Sequence, residues 1–268
     1  MSPAGAPSPA SATAGRPPRR PGITVPFDGI PLHAHKGWFS RLRELGYTDV
    51  WSAEVDGADG FTPLALAAAW EPKLNLGVAI TPAYTRGPAL LAQSLASMAD
   101  AAPGRFFCGL GVSSEVIVAN WNGLAFENQF RRIRDTVRFL RMAFSGDKVT
   151  ERFDTFSVKG FRLSRIPEVL PPIYLAALRP GMLHLAGREA DGAILNWLSA
   201  EDVATSVAEV EKAAEGAPRE IAARIFVWVC RRQRELSART HAAGDNRAGR
   251  EGWRVTEATA RSGSEACI

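Results

Sequence analysis

The sequence predicts an α/β fold: a (β/α)8 TIM barrel that is incomplete at the C-terminal end, with the strand 8 region missing or garbled. Three observations predict it. Short apolar runs alternate with amphipathic helical stretches through the middle of the chain. The length of 268 residues, 46% of them hydrophobic, suits one large core, and such barrels run to roughly 250 residues. The alternation stops near residue 230, after seven strands. By count alone a doubly wound sheet stays open, because it needs fewer strands than the eight that close a barrel.

Residues 1–21 are Pro, Ala, Ser and Gly with almost no large apolar side chain. They bury too little surface to offset their ordering entropy, and read as a disordered tail or as translation from an upstream start. The barrel domain is read over residues 22–230. Its first apolar run, Ile23–Phe27, precedes Trp38-Phe39-x-x-Leu42-x-x-Leu45, which has helical spacing. Gly46 ends that helix as a C-terminal glycine does. Strand Asp49–Ala53, helix Thr62–Trp70 and strand Leu74–Ile80 follow. Pro88 sits in the first turn of the helix Ala89–Ala101, where a missing N–H costs nothing. Strand Phe106–Val112 leads to a long helix, Glu127–Phe144, with Phe130, Ile133, Val137, Leu140 and Phe144 on one face.

Residues 146–164 break the rhythm with two short alternating runs, Phe153–Val158 and Phe161–Leu163, which predict an inserted hairpin. Strand Ile173–Ala176, helix Gly181–Arg188, strand Ala193–Asn196, helix Glu201–Glu215 and strand Ile221–Cys230 complete the series. Repeated strand–helix units give parallel strands with right-handed crossovers. In residues 231–268 the only aliphatics larger than Ala are Leu236, Val255 and Ile268, joined by Trp253, and no period is visible. A seventh helix, an eighth strand and an eighth helix belong there. The composition is instead that of GC-rich DNA read out of frame, or of a truncated end, so an irregular, disordered or frameshifted tail is expected.

Composition excludes several classes. No apolar run approaches the roughly 20 residues that span a bilayer, so no membrane partner is expected. Arg19-Arg20 is followed by Pro21-Gly22-Ile23-Thr24-Val25-Pro26 and no apolar stretch, which rejects a twin-arginine export signal. Cys108, Cys230 and Cys267 are odd in number and far apart, which argues against a disulfide framework or zinc site and fits a cytoplasmic location. The net charge of +4 resides in the ends: Arg16, Arg19 and Arg20 at one, and eight Arg against five Asp/Glu beyond residue 230 at the other. The body is slightly acidic, so no nucleic-acid partner is expected.

In a barrel, function collects where strands end. The third strand exits through Leu76-Gly77-Val78-Ala79-Ile80-Thr81-Pro82-x-Tyr84-x-Arg86-x-Pro88, and the fourth through Gly109-Leu110-Gly111-Val112-Ser113-Ser114. The fifth exits through Ala176-Ala177-Leu178-Arg179-Pro180-Gly181-Met182 and runs into Leu185-Ala186-Gly187-Arg188-x-Ala190-Asp191-Gly192. Two glycines let a flat ring approach the backbone closely, and free N–H groups with the hydroxyls of Ser113 and Ser114 suit a phosphate. The competing reading is a glycine turn capped by serine. The spacing is not the dinucleotide G-x-G-x-x-G. Arg179, beside Pro180-Gly181 at a helix start, is an anion candidate or else an ordinary surface arginine.

In this order and at this spacing the segments resemble the bacterial luciferase-like superfamily, specifically its coenzyme F420-dependent oxidoreductases, over about Ile23 to Val229. The resemblance implies a luciferase-like barrel that binds coenzyme F420. Its cofactor-binding residues would be Ala79, Ile80, Thr81, Gly109, Gly111, Val112, Ser113, Ser114, Ala177, Leu178, Arg179, Gly181 and Met182. It also implies a non-prolyl cis peptide, by position Ala79–Ile80. Glu54, where relatives commonly carry Asp or His, is the candidate for proton handling, or else a solvated loop carboxylate. Asn196 and Trp197 are candidates for the substrate pocket, although Trp197 could instead cover the core. His33-x-His35 lacks a third ligand, so no metal is expected, and His184 reads as structural. No G-x-S-x-G elbow or Walker loop occurs.

The function expected is hydride transfer between the deazaflavin and a small organic substrate. The alternatives are an FMN-dependent luciferase-like monooxygenase and a truncated, inactive paralogue. A homodimer is expected if the barrel closes.

Overall fold

Seven parallel strands form one sheet, neighbours in space in the order they occur in the chain. They are β1 (Gly22–Thr24), β2 (Asp49–Ser52), β3 (Asn75–Pro82), β4 (Phe106–Gly111), β7 (Ile173–Ala176), β8 (Gly192–Asn196) and β9 (Glu220–Arg224). The structure is a computed structural model and describes residues 19–227. The helices are α1 (Lys36–Glu44), α2 (Thr62–Trp70), α3 (Pro88–Ala101), α4 (Gln129–Phe144), α5 (Pro180–Glu189) and α6 (Ala200–Ala213). The two remaining strands, β5 (Val149–Arg152) and β6 (Ser157–Phe161), pair antiparallel as the inserted hairpin.

Period-2 alternation gives the sheet two different faces. One face carries Leu76, Val78, Cys108, Leu110, Leu175 and Leu195 into the main core beneath the helices. The other carries Trp51, Phe107, Tyr174 and Ile194 into a separate inner cluster, which is the barrel lumen. The rings stack through it, Trp51 on Phe107 at 6.1 Å between centroids and Phe107 against Tyr174 at 5.7 Å. Gly77 makes this possible, because a Cβ there would lie 2.2 Å from the Trp51 ring.

Charges at the N-terminal ends of the strands show how far the sheet curls. Arg20, just before β1, lies 4.8 Å over the Phe107 ring and 3.6 Å from Asp49 of β2. It also reaches Glu220, at the start of β9, at 3.2 Å. Glu220 in turn accepts from the Tyr174 hydroxyl. One side chain therefore links the two edge strands across the lumen.

The elements follow the sequence reading closely, with physical reasons where they depart. β1 stops at Thr24 rather than Phe27, ahead of Pro26, which has no N–H to give a ladder. α4 starts at Gln129 rather than Glu127, because Asn128 is left-handed at φ 54°. Phe130, read as part of its buried face, is 39% exposed. The hairpin strands lie a few residues earlier than expected, and Phe153 with Phe156 form its turn side. These two rings and Phe161 pack around Phe139 of α4 at 5.8–6.3 Å. β9 ends at Arg224, and Cys230, Cys267 and the tails read as irregular fall outside the described residues, except for its last residues, 19–21. The π-helical turn Val116–Trp121 was not anticipated. No helix among the described residues is long and apolar enough to cross a membrane.

The hairpin is fastened to α4 by one buried carboxylate. Asp135 is 1% exposed and accepts from the Thr155 N–H and hydroxyl, each at 3.0 Å, and from Arg134 at 2.8 Å. Asp135→Ala leaves these donors unmatched and is expected to cost about 3 kcal/mol. Asp135→Asn keeps one acceptor and should cost less. Urea unfolding gives the cost, and amide exchange over residues 149–161 should accelerate in both.

Candidate functional site

The strand exits bring most of the predicted residues to one rim. Followed through the register, the last inward positions are Thr24, Trp51, Pro82, Gly111, Ala176, Asn196 and Arg224, above the ring cluster that fills the lumen below.

The Ala79–Ile80 peptide is cis. It lies inside the register shift between Val78 and Thr81, where β3 slips against β4. The two glycines of β4 answer to that local shape. A Cβ on Gly109 would lie 2.1 Å from the Val78 carbonyl oxygen, and one on Gly111 would lie 2.9 Å from Ile80 Cγ1. These glycines thus let β3, with Ile80, lie close against β4.

Beyond Gly111 the chain turns sharply. Ser113 is left-handed at φ 66°, a conformation that non-glycine residues rarely hold. The N–H groups of Ser113 and Ser114 donate to no backbone acceptor among the described residues. Ser114 does serve as a weak cap, its hydroxyl accepting from Ile117 N–H at 3.4 Å and its carbonyl from Val118 N–H at 2.9 Å. The capping reading thus describes Ser114, at the start of the π-helical turn, while the Ser113 N–H is left without a backbone acceptor among the described residues.

At the next exit Arg179 is the N-cap of α5, its carbonyl accepting from Met182 and Leu183 N–H at 3.0 Å each. Its side chain is exposed, as is Leu178. Gly181 lies in the first turn. Ala177 is buried in the main core, and Met182 and Val112 pack against that core, so these three side chains serve the scaffold.

Glu54 is neither solvated nor unpaired. Its carboxylate accepts from Arg86 at 2.6 Å, from the Thr81 hydroxyl at 2.9 Å and from Gly60 N–H at 3.2 Å. Its own N–H donates to the Ile80 carbonyl at 3.2 Å. The pair is largely buried, Glu54 at 13% and Arg86 at 22% side-chain exposure. Thr81 itself is fully buried. Arg86 was missed as a site residue: its motif position was visible, but a pairing partner 32 residues away leaves no local signal. Arg86 also lies 4.6 Å over the Phe61 ring, and a cavity of about 360 Å³ opens beside the pair, lined by Asp59, Leu90, Ile117 and Asn122 among others.

On the opposite side of the rim Trp197 is left-handed at φ 57° and stacks on Phe226 at 4.5 Å. Its N–H donates to the Arg224 carbonyl at 2.9 Å, and the Arg224 guanidinium lies 5.5 Å over its ring. Asn196 is the register partner of Arg224. Away from the rim, His35 is buried and both its ring nitrogens are engaged, one accepting from Phe27 N–H at 2.9 Å and the other 3.0 Å from the Pro31 carbonyl. His184 pairs with Glu209 between α5 and α6, which is a structural contact.

A family model described as luciferase-like monooxygenase matches residues 9–265, beyond the Ile23–Val229 stretch where motifs are readable. The 5,10-methylenetetrahydromethanopterin reductase of Methanolobus tindarius is 29% identical over 199 residues, 73% of this chain and 59% of that protein. The F420-dependent glucose-6-phosphate dehydrogenase of Mycobacterium avium (strain 104) is 35% identical over 127 residues, 46% and 38% of the two chains. The chain thus spans well under two thirds of these relatives. Among solved structures, the coenzyme F420 dependent tetrahydromethanopterin reductase of Methanopyrus kandleri superposes with a TM-score of 0.66 at 22% identity, covering 76% of this chain and 65% of that one. An FMN-bound type II Baeyer-Villiger monooxygenase of Pseudomonas putida gives 0.66 at 13% identity, covering 76% and 66%. These two likenesses establish the barrel fold.

Proposed function

The chain belongs to the luciferase-like monooxygenase family, and from that premise we propose that it is an oxidoreductase that binds coenzyme F420 at the open end of the barrel and transfers a hydride between the deazaflavin and a small organic substrate. The carrying observation is the left-handed Ser113 turn at the exit of β4, where the N–H groups of Ser113 and Ser114 donate to no backbone acceptor among the described residues. A cofactor with an anionic tail suits such a turn. The sequence relatives favour the deazaflavin over a flavin, since the 35% identical protein is named F420-dependent and the FMN-bound neighbour shares only 13%.

The bound deazaflavin supplies the carbon that gives or takes hydride, and the barrel orients it. Each rim residue has a part in that orientation. Ile80, held close against Gly111, backs the site. Ser113, Ser114 and Arg179 hold the anionic tail through N–H groups, hydroxyls and one guanidinium. Glu54, held by Arg86, Thr81 and Gly60, positions Ile80 and Thr81. Asn196 and Trp197 border the substrate side.

The test is a substrate panel with two arms. Alcohols and sugar phosphates are offered with oxidised F420, and in parallel with reduced FMN under oxygen. The expected result is bleaching of the deazaflavin absorbance by one substrate class and no substrate-dependent oxygen uptake with FMN. Oxygen uptake in the FMN arm alone would replace this reading with the monooxygenase one.

A further inference from the structure

Among the charged side chains of the rim, Arg224 stands apart. Of the other partly buried arginines, Arg86 is matched by Glu54, Arg134 by Asp135, Arg105 by the Leu74 carbonyl, Arg132 by the carbonyls of Ala83 and Thr155 and Arg219 by the Gly187 carbonyl, while Arg43 lies on α1, away from the rim. The Arg224 guanidinium makes no ion pair or hydrogen bond among the described residues, and its contact is the Trp197 face at 5.5 Å.

Its direction follows from β9. Ala222 packs in the lumen cluster and Glu220 meets Tyr174 there, so the next residue of the same parity, Arg224, also faces inward at the open end. Asn196 faces it from β8 in register. Trp197 covers one face of the guanidinium, which leaves the planar edge of the fork for a ligand. Burial pulls its pKa below the usual arginine value.

We infer that Arg224, with Asn196 beside it, is the anchor for an oxyanion of the substrate, a carboxylate or a phosphate, on the side of the rim opposite the Ser113 turn. The inference rests on the proposed function in taking the ligand here to be the substrate and not the cofactor. A guanidinium fork matches either oxyanion with two parallel hydrogen bonds. The separation of the two anion sites by chain position lets cofactor and substrate charges bind without sharing a partner.

The experiment uses the full chain in an Arg179→Ala background, which takes the one cationic side chain from the second candidate anion site, so that the change on altering Arg224 reports the first. Orthophosphate and acetate are titrated calorimetrically, and the tighter of the two identifies the substrate's anionic group. Arg224→Met, which keeps the apolar stem against Trp197, is expected to weaken binding roughly tenfold or more, and Arg224→Lys by less. Thermal melts of the variants establish that they fold. With Arg179 intact, F420 affinity should be the same in Arg224→Met and wild type. Undiminished anion binding in Arg224→Met, or none before that substitution, would overturn the inference. An equal loss of F420 affinity would also overturn it, by assigning Arg224 to the cofactor. Loss of anion binding in a chain that never binds F420 would support the anion site and overturn the F420 reading alone.

Discussion

Gly109→Ala is expected to lower stability by about 3 kcal/mol and to remove cofactor binding with it. The added methyl would lie 2.1 Å from the Val78 carbonyl oxygen and 2.6 Å from Ile194 Cδ1. The side chain could turn away, but the carbonyl belongs to β3 and moves only if that strand does. β3 cannot shift without carrying Ile80 and Thr81, and so the Glu54 clamp, with it. The effect should therefore be felt at the rim as well as in the melt. Gly37→Ala is the control: nothing lies within 4 Å of a Cβ there, and the residue is inside α1. That change should be neutral or stabilise by up to about 1 kcal/mol. Urea unfolding of the two variants makes the comparison, and equal stabilities would show that β3 and β4 do not fit as tightly as described.

The second large effect concerns Glu54. Removing its carboxylate in Glu54→Ala leaves Arg86 buried without a counter-charge, at a cost of about 3 kcal/mol. The hydroxyl of Thr81 and the N–H of Gly60 lose their acceptor in the same step. The double variant Glu54→Gln/Arg86→Met restores neutrality and an acceptor, and should recover most of the stability and of the F420 affinity. A residue that positions its neighbours behaves this way. A proton donor would show the reverse: a stable single variant that binds F420 normally and turns over slowly, with no rescue from changing Arg86.

Most of the strands were legible as short apolar runs, though β9 runs on into Ile225-Phe226-Val227 with no breaker and so was read too long, and helix α2 was readable to its end residues because Thr62-Pro63 and Trp70-Glu71-Pro72 mark both boundaries. Local signals carried that much. The hairpin was visible as a break in rhythm, but its register was not. Phe153 and Phe156 look like strand residues, yet they belong to the turn side because they pack on Phe139, a contact no window of sequence contains. The turn at Val116–Trp121 was hidden for a related reason. A left-handed serine, Ser113, lies shortly before it, and serine carries no sequence mark for that conformation as glycine does.

The candidate site was legible by position and less so by cause. At Gly109 and Gly111 the atoms that demand glycine come chiefly from β3, which lies next to β4 in the sheet and about 30 residues earlier. Glu54 was picked for its place at a strand exit, and only its partners reveal what it does. Arg224 was passed over because its isolation is a property of its surroundings, and no residue type or spacing records the absence of a partner.

One calorimetric experiment tests the central claim most directly: the full chain titrated with coenzyme F420 and, separately, with FMN, with Gly109→Ala alongside. The account predicts tight one-to-one binding of F420, FMN weaker by roughly tenfold or more, and neither bound by the variant. FMN bound as tightly as F420, or F420 bound equally by Gly109→Ala, would contradict it.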